Sequence, residues 1–216
     1  MEAALDGKDS DQTSMMSESC ILVDNEDVAI GSLSKLESHY MAGSLHRAFS
    51  VLLFNSKDEL LVQKRASSKI TFPSVWANSC CSHPLMLEGG TEESVVDAAI
   101  RKMEQELGIP SSISSDWDYN PVGRFMYSSR WDSEWVEREI DHVLLVRADV
   151  EVAPNPNEIG AHEWVDMDEL RRMVSQEGRW GGEVVAPWFK AIVKSYLPKG
   201  TDIDDAMRSR SKEILL

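Results

Sequence analysis

The sequence contains no apolar run near the roughly 20 residues that a membrane-spanning helix requires, and it has only 3 cysteines among 216 residues. The first absence predicts a soluble protein. Cys80 and Cys81 are adjacent, and this spacing suits neither a disulfide framework nor a zinc ribbon. We therefore expect a protein of a reducing compartment.

Basic residues are also scarce, because 22 Lys and Arg stand against 37 Asp and Glu, for a formal net charge of -15. Nucleic acid requires a basic surface, so this balance argues against nucleic-acid binding. Residues 1–30 alone hold eight carboxylates and one lysine. The rest of the chain is only moderately acidic, which leaves room for a local basic site.

Both ends of the chain are polar. Residues 1–18 are acidic and poor in large apolar side chains, which predicts a disordered N-terminal tail, and residues 199–216 form a polar C-terminal tail. The first segment resembles neither a secretory signal nor a transit peptide. We expect cytoplasmic residence, or a plastid or other organelle if a transit peptide was trimmed. Residues 19–198 are long enough for a single domain with one core.

Hydrophobic periodicity divides this domain into strands and helices. Two short strands follow Cys20, and the turn NSKDE joins a buried strand to a return strand. Three further strands are predicted at Pro121–Tyr127, Trp135–Ala148 and Glu158–Val165. Strands with interspersed helices predict an α+β domain, in which helices pack on a mixed sheet.

The strongest helical pattern begins at Thr91 as N-cap and ends at Gly108. The residues at helical spacing predict one buried face, formed by Val96, Ile100, Met103 and Leu107. Lys102 and Glu106 lie one turn apart on another face, where a surface ion pair is the simplest interpretation. Two shorter helices are predicted to begin at Asp166 and Pro187.

The segment ITFPSVWANSCCSHP, from Ile70 to Pro84, shows neither helix nor strand periodicity and predicts a shaped loop. Cys81 and His83 are two residues apart, so in an extended segment both side chains point to the same side. A thiol and an imidazole would then share one pocket. The alternative is that both cysteines and His83 are core residues.

Other polar residues stand where strands end. Arg65 and Lys69 follow the return strand, four residues apart, and together can hold a phosphate or carboxylate. Glu137 and Glu139 alternate on one strand face, where a cation would offset their repulsion. Three imidazoles and two carboxylates form a donor set suited to Zn²⁺, Mn²⁺ or Mg²⁺. These five residues are His39, His46, His83, Glu137 and Glu139.

Together these motifs resemble type I isopentenyl diphosphate isomerase, a family with a Nudix-like α/β/α fold. The resemblance spans about Cys20 to Leu197. The matching motifs are HYMAGSLHRAFS, QKRASSK, WANSCCSHP, ELGIP, Tyr127 ten residues before EREID, and PWFK. The family interconverts isopentenyl and dimethylallyl diphosphate, so the resemblance implies a small prenyl diphosphate substrate, no flavin, and a monomer or homodimer.

The resemblance also implies a role for each matching residue. The metal ligands would be His39, His46, His83, Glu137 and Glu139, with Glu106 holding a second ion, Mg²⁺, bridged to the diphosphate. Diphosphate contacts would come from Lys35, Arg65, Lys69 and the backbone at Ser82. Cys81 would be the acid and Glu139 the base, with Tyr127 hydrogen-bonded near Glu139 and Trp188 facing a tertiary carbocation.

One departure bears on the alternatives. Nudix hydrolases carry several glutamates in a helix signature, but the aligned stretch here is RKMEQELG, with Lys102 and Gln105 at two of the glutamate positions. A Nudix-type diphosphate hydrolase is therefore the second interpretation. The third is a catalytically silent relative that binds metal or diphosphate, which would not need to retain Cys81 and Glu139.

Overall fold

The computed structural model describes residues 2–175, 179–208 and 212–215. The strands are β1 Ser19–Val23, β2 Ala29–Ser34, β3 His46–Phe54, β4 Leu60–Arg65, β5 Trp76–Ala77, β6 Cys80–Ser82, β7 Asn120–Arg130, β8 Val136–Arg147, β9 Ile159–Val165, β10 Arg179–Trp180, β11 Glu183–Val184 and β12 Lys212–Leu215. The α-helices are α1 Ser10–Met15, α2 Lys35–His39, α3 Val95–Leu107, α4 Ser111–Ser114, α5 Met167–Ser175, α6 Pro187–Tyr196 and α7 Ile203–Arg208, and short 3₁₀ turns occupy Glu2–Leu5 and Glu88–Gly90.

A mixed sheet with helices on both faces forms the core, which confirms the predicted fold class. Its main path runs β12-β7-β8-β3-β1-β2. Strand β3 pairs in parallel with β8, from His46 opposite Glu139 to Phe54 opposite Arg147. It is buried along almost its whole length, as a central strand covered on both faces must be.

Strands β3 and β4 are joined by the predicted turn but do not form a long hairpin. Their only pairing in the described chain is Phe54 with Leu60, whereas β4 pairs along its length with β9 and briefly with β5. The chain turned where the sequence indicated, but β6 and β1 pair with most of the edge of β3 that β4 was expected to take, while β8 pairs along the other edge. As a result, the ends of β3, β6 and β8 converge.

Helix α3 covers one face of the sheet. It begins after Ser94, whose hydroxyl accepts a hydrogen bond from the backbone N–H of Asp97, so the predicted N-cap Thr91 was wrong. It ends as predicted at Gly108, whose φ of 66° and close approach to Ala153 O exclude a side chain.

The buried face of α3 differs from the predicted one. The small side chains Ala98 and Ala99 face the sheet with Met103 and Leu107, and the buried set extends to Lys102 and Glu106. Val96 and Ile100 are only half-buried. The small residues let the helix approach the sheet closely, and the face that is buried there includes the polar pair Lys102 and Glu106.

The opposite face of the sheet is covered by α5 and α6, whose apolar residues join a second core with β4 and β7. Asp166 caps α5 through hydrogen bonds from the backbone N–H groups of Asp168 and Glu169. Pro187 begins α6, and Trp188, Ile192 and Tyr196 are buried, all as the spacing predicted. No helix among the described residues is long and apolar enough to cross a membrane.

The two chain ends differ from the predicted tails. Residues 10–15 form α1, and Gln12 is buried with its amide bonded to Asn157 and Glu158. At the other end, Ile203 and Ala206 of α7 are buried, and β12 pairs in parallel with β7. Composition suggested disorder for the N-terminal segment and a polar tail at the C-terminus, but long-range hydrogen bonds and a few apolar contacts hold both segments.

Candidate active site

The ends of β3, β6 and β8 border a pocket beneath α1. Eleven of the thirteen predicted site residues line it: Lys35, Arg65, Lys69, Cys81, Ser82, His83, Glu106, Tyr127, Glu137, Glu139 and Trp188. The other two, His39 and His46, are buried and share a cluster with His83 and Glu139. The fold therefore brings the whole predicted set into one region.

This cluster has the form of a metal site. The donor atoms of His39, His46, His83 and Glu139 lie within 4.8 Å of one another. The Nε2 atoms of the three histidines lie 3.6, 3.4 and 3.0 Å from Glu139 Oε1, in that order. The parallel pairing of His46 with Glu139 sets two of the four positions directly.

The hydrogen bonds of His39 and His46 leave their metal-facing nitrogens available, whereas Nε2 of His83 lies at hydrogen-bond distance, 3.0 Å, from Glu139 Oε1. Nδ1 of His39 lies 2.7 Å from Lys35 O, and Nδ1 of His46 lies 2.7 Å from Ser44 O. A carbonyl can only accept, so Nδ1 carries the proton and Nε2 presents a lone pair, as in metal-bound histidines. Within the described chain, Nε2 of His46 is buried without a hydrogen-bond partner. These donors fit a divalent cation.

The protonation states agree with this assignment. Burial lowers the pKa of His39 to about 4 and the pKa of His83 well below its usual value, so both are neutral, the form that binds metal. Burial alone would raise the pKa of Glu139, but the three imidazoles close to its Oε1 atom hold it well below its ordinary value. Glu139 is therefore a carboxylate.

Glu137 lies beside this cluster and is not one of the four clustered donors. The Tyr127 hydroxyl lies 3.0 Å from Glu137 Oε2 and 2.6 Å from Glu139 Oε2. Burial and the charge of Glu139 raise the pKa of Glu137 well above its ordinary value. Its role as a metal ligand stays a prediction.

The adjacent cysteines occupy opposite faces of β6. Cys81 lines the pocket, whereas Cys80 is fully buried among apolar residues that include Phe49 and Met103. Burial raises the pKa of Cys81 to about 12, although the nearby Arg65 acts to lower it. The Cys81 thiol therefore keeps its proton at neutral pH.

An array of buried and half-buried opposite charges lies beside the thiol and the cluster. Lys69 Nζ lies 2.5 Å from Glu158 Oε2, and Lys35 Nζ lies 3.7 Å from Glu18 Oε2. Burial lowers the pKa of Lys69 to about 8. A lysine whose pKa is lowered by burial beside a pocket is typical of a functional site.

The pair of Lys102 and Glu106 belongs to this array. Lys102 Nζ lies 3.2 Å from Glu106 Oε1 and donates a hydrogen bond to Gln105 Oε1 at 3.0 Å. Both members of the pair are buried, so the expected surface ion pair was wrong. Lys102 stands where the Nudix hydrolase signature has a glutamate, and it neutralises Glu106, the signature carboxylate that this chain retains.

Two groups of site residues were not predicted. Gln12, Met15 and Met16 line the pocket from the N-terminal segment, and no local pattern marks them. Asp141 also lines it and accepts a hydrogen bond from Ser50 Oγ at 2.8 Å. Asp141 continues the alternation of Glu137 and Glu139 along β8, so the period of two could have identified it.

Comparisons with known proteins give consistent results. The NUDIX domain family profile matches residues 44–189. The chain is 42% identical over 198 residues, 87% of this chain and 69% of the relative, to "Isopentenyl-diphosphate Delta-isomerase 1, chloroplastic" of Cannabis sativa. It is 40% identical over 210 residues, 93% of this chain and 92% of the relative, to "Isopentenyl-diphosphate Delta-isomerase 1" of Bos taurus.

Solved structures share the fold at low sequence identity. A crystal structure of a Deinococcus radiodurans protein is similar with a TM-score of 0.61 and 21% identity, covering 82% of this chain and 98% of that one. A NUDIX hydrolase from Alicyclobacillus acidocaldarius is similar with a TM-score of 0.55 and 16% identity, covering 78% and 97%. At these identities the similarity concerns the fold alone.

Proposed function

The chain belongs to the isopentenyl-diphosphate Delta-isomerase family of the Nudix superfamily, and from this we propose how its own residues interconvert isopentenyl and dimethylallyl diphosphate. One observation carries the proposal. A protonated thiol, Cys81, and an ionised carboxylate, Glu139, line the same pocket on β6 and β8, the two strands that flank β3.

Isomerisation of the alkene requires one proton to be added and another to be removed two carbons away. We propose that the Cys81 thiol gives its proton to the terminal methylene carbon, whose π electrons form the new C–H bond. The adjacent tertiary carbon becomes cationic. Glu139 then removes a proton from the second carbon, and the electrons of that C–H bond form the new double bond. Proton exchange with water restores the thiol and the carboxylate.

The surroundings of these two groups support the proposal. The Tyr127 hydroxyl, 2.6 Å from Glu139 Oε2, orients the base. The indole of Trp188 lines the pocket and is buried, and an aromatic face stabilises a desolvated cation by about 2 kcal/mol. Met15, Met16 and Ile70 give the same pocket apolar surface, and an apolar lining that keeps water out would protect a carbocation from capture.

The metal assignment follows from the donor set. We infer that His39, His46, His83 and Glu139, with Glu137 beside them, hold one divalent ion, which is Zn²⁺, Mn²⁺ or Mg²⁺. A divalent charge there would help to set the proton affinity of Glu139. Glu106 would hold a second ion, Mg²⁺, together with the substrate diphosphate.

The remaining cations would bind the diphosphate. Lys35, Arg65 and Lys69 line the pocket together with Ser82 and Glu106. In this arrangement, the diphosphate is the remote part of the substrate whose binding energy fixes the short alkenyl chain. Lys69 would exchange its partner Glu158 for the diphosphate on binding.

Diphosphate hydrolysis is less well supported by the same geometry. A Nudix hydrolase needs several carboxylates on the helix that corresponds to α3. In the described structure, Glu106 is the buried carboxylate of α3, and Lys102 already neutralises it at 3.2 Å. The electrostatics of this helix favour holding one ion with substrate over assembling a hydrolytic metal cluster.

The test separates the two activities. The purified protein is incubated with isopentenyl diphosphate and Mg²⁺, and the products are followed by proton NMR and by an assay for released phosphate. We expect dimethylallyl diphosphate without phosphate release. Phosphate release without isomerisation would favour the hydrolase, and no reaction in the metal-loaded protein would favour a silent binding relative.

A further inference from the structure

The indole of Trp188 is held from several sides. Its Nε1–H donates to Asn78 Oδ1 at 3.1 Å. The ring of Phe72 meets it edge to face, with centroids 5.2 Å apart and planes at 90°. The guanidinium carbon of Arg65 lies 5.8 Å from the centre of the indole. An aromatic ring constrained in this way has one orientation toward the pocket.

Phe72 occupies a strained backbone conformation. Its φ is +45°, a region that bulky residues rarely adopt, and Ser74 two residues later also has a positive φ, +59°. The Phe72 side chain is only 4% exposed. Strain of this kind persists when surrounding contacts fix it, and it concentrates at functional sites.

Arg65 supplies those contacts. Its Nε donates to Phe72 O at 2.9 Å, and its Nη2 donates to Thr71 O at 2.9 Å. Its third nitrogen, Nη1, lies 3.8 Å from Cys81 Sγ. One guanidinium therefore contacts the strained turn, the indole and the thiol, and it is itself buried. A lysine could not reproduce these contacts, because it lacks the planar fork.

We propose that Arg65 and Phe72 form a clamp that positions the indole of Trp188 and the thiol of Cys81 for isomerisation. Phe72 is a positioning residue, since it acts through Trp188. Arg65 positions both groups in addition to any contact with the diphosphate. The inference rests on the proposed function and assigns it two positioning roles.

The clamp makes a specific prediction for ligand binding. Loss of the Phe72 ring frees the indole, which weakens stabilisation of a cation at the tertiary carbon but leaves the diphosphate contacts intact. Two probes separate these effects. One is an alkyl diphosphate that carries a protonated tertiary amine in place of the cationic carbon, and the other is isopentyl diphosphate, its neutral isostere.

The primary variant is Phe72→Leu, with Phe54→Leu as the matched control. Phe54 is also buried and lies in the same core, and within the described chain its ring makes no contact with the indole of Trp188. For Phe72→Leu, we expect kcat to fall about fivefold to tenfold, the magnitude of one aromatic contact, with KM changed less than about twofold. Affinity for the amine probe should fall by the same factor, and affinity for isopentyl diphosphate should stay unchanged.

The clamp would be overturned if Phe72→Leu lowered the affinity for both probes equally. It would also be overturned if Phe54→Leu changed the ratio of the two affinities as much as Phe72→Leu does. If Phe72→Leu does not fold, Arg65→Lys provides the second variant. It keeps the positive charge, so the clamp predicts that kcat falls by a larger factor than the affinity for isopentyl diphosphate. A loss confined to that binding would show that Arg65 only contacts the diphosphate. The proposed function is judged separately, by turnover of the unmodified protein, while the probe ratio is measured without turnover.

Discussion

The adjacent cysteines offer a sharp test of the site, because the two side chains differ only in the face of β6 that they occupy. Cys81 lines the pocket with Glu139, and Cys80 lies in the core beneath α3. Replacing each by alanine removes one sulfur atom. The change at Cys81 removes the proposed acid, whereas the change at Cys80 leaves a small cavity.

The expected magnitudes differ in kind. A positioned general acid contributes about 10²- to 10⁴-fold to a rate, so Cys81→Ala should lower kcat by at least that factor. At about 1.36 kcal/mol per factor of ten, this raises the activation barrier by roughly 3–5 kcal/mol. The stability of this variant should change little, since the side chain faces the pocket. Cys80→Ala should cost about 1 kcal/mol of unfolding free energy, typical of a small core truncation, with kcat nearly unchanged.

The assay measures kcat on isopentenyl diphosphate, the urea midpoint and the metal content of both variants. Cys81→Ala should be inactive, folded and metal-loaded. An active Cys81→Ala protein would remove the thiol from the mechanism. An inactive but folded Cys80→Ala protein would show that the face assignment within β6 is wrong.

Three further predictions concern charge and metal. Because burial lowers the pKa of Lys69 to about 8, the lysine loses its charge as pH rises through 8, and kcat/KM should fall over that range. Lys69→Arg keeps its charge and should remove this fall. If the fall persists in Lys69→Arg, another group causes it. Lys102→Met leaves Glu106 buried without its partner and should cost about 3–5 kcal/mol in urea unfolding; a cost below about 1 kcal/mol would contradict the pairing. Dialysis against a chelator should lower both the activity and the thermal unfolding midpoint, and adding Zn²⁺, Mn²⁺ or Mg²⁺ should restore them. The reason is that the imidazoles are brought together to bind the ion only in the folded state. An unchanged midpoint would argue against a structural ion at His46.

The sequence was most informative where side chains repeat with a regular period. Glu137 and Glu139 are two residues apart on β8, and Cys81 and His83 are two residues apart at β6. Because residues i and i+2 of a strand lie on the same face, strand geometry alone predicted that each pair shares a face. The positions of His39 and His46 relative to these residues did not. They depend on the parallel pairing of β3 with β8, a contact between segments about ninety residues apart, and only the family resemblance anticipated it.

The failures have related physical causes. The pair of Lys102 and Glu106 was assigned to the surface because such helix pairs are usually solvated, but both side chains lie in the interior. Gln12 was assigned to a disordered tail because the segment is acidic, yet its amide meets Glu158, a residue 146 positions away. The burial of the first pair and the distant partner of Gln12 cannot be read from the local sequence, since both depend on the tertiary fold.

The central claim, proton addition and removal within one pocket, is tested most directly by isomerisation in D₂O. The protein is incubated with isopentenyl diphosphate and Mg²⁺ in D₂O, and the dimethylallyl product is examined by deuterium and proton NMR. The account predicts one deuterium in a methyl group of the product, delivered from the exchanged Cys81 thiol. A product formed without deuterium from solvent would contradict it.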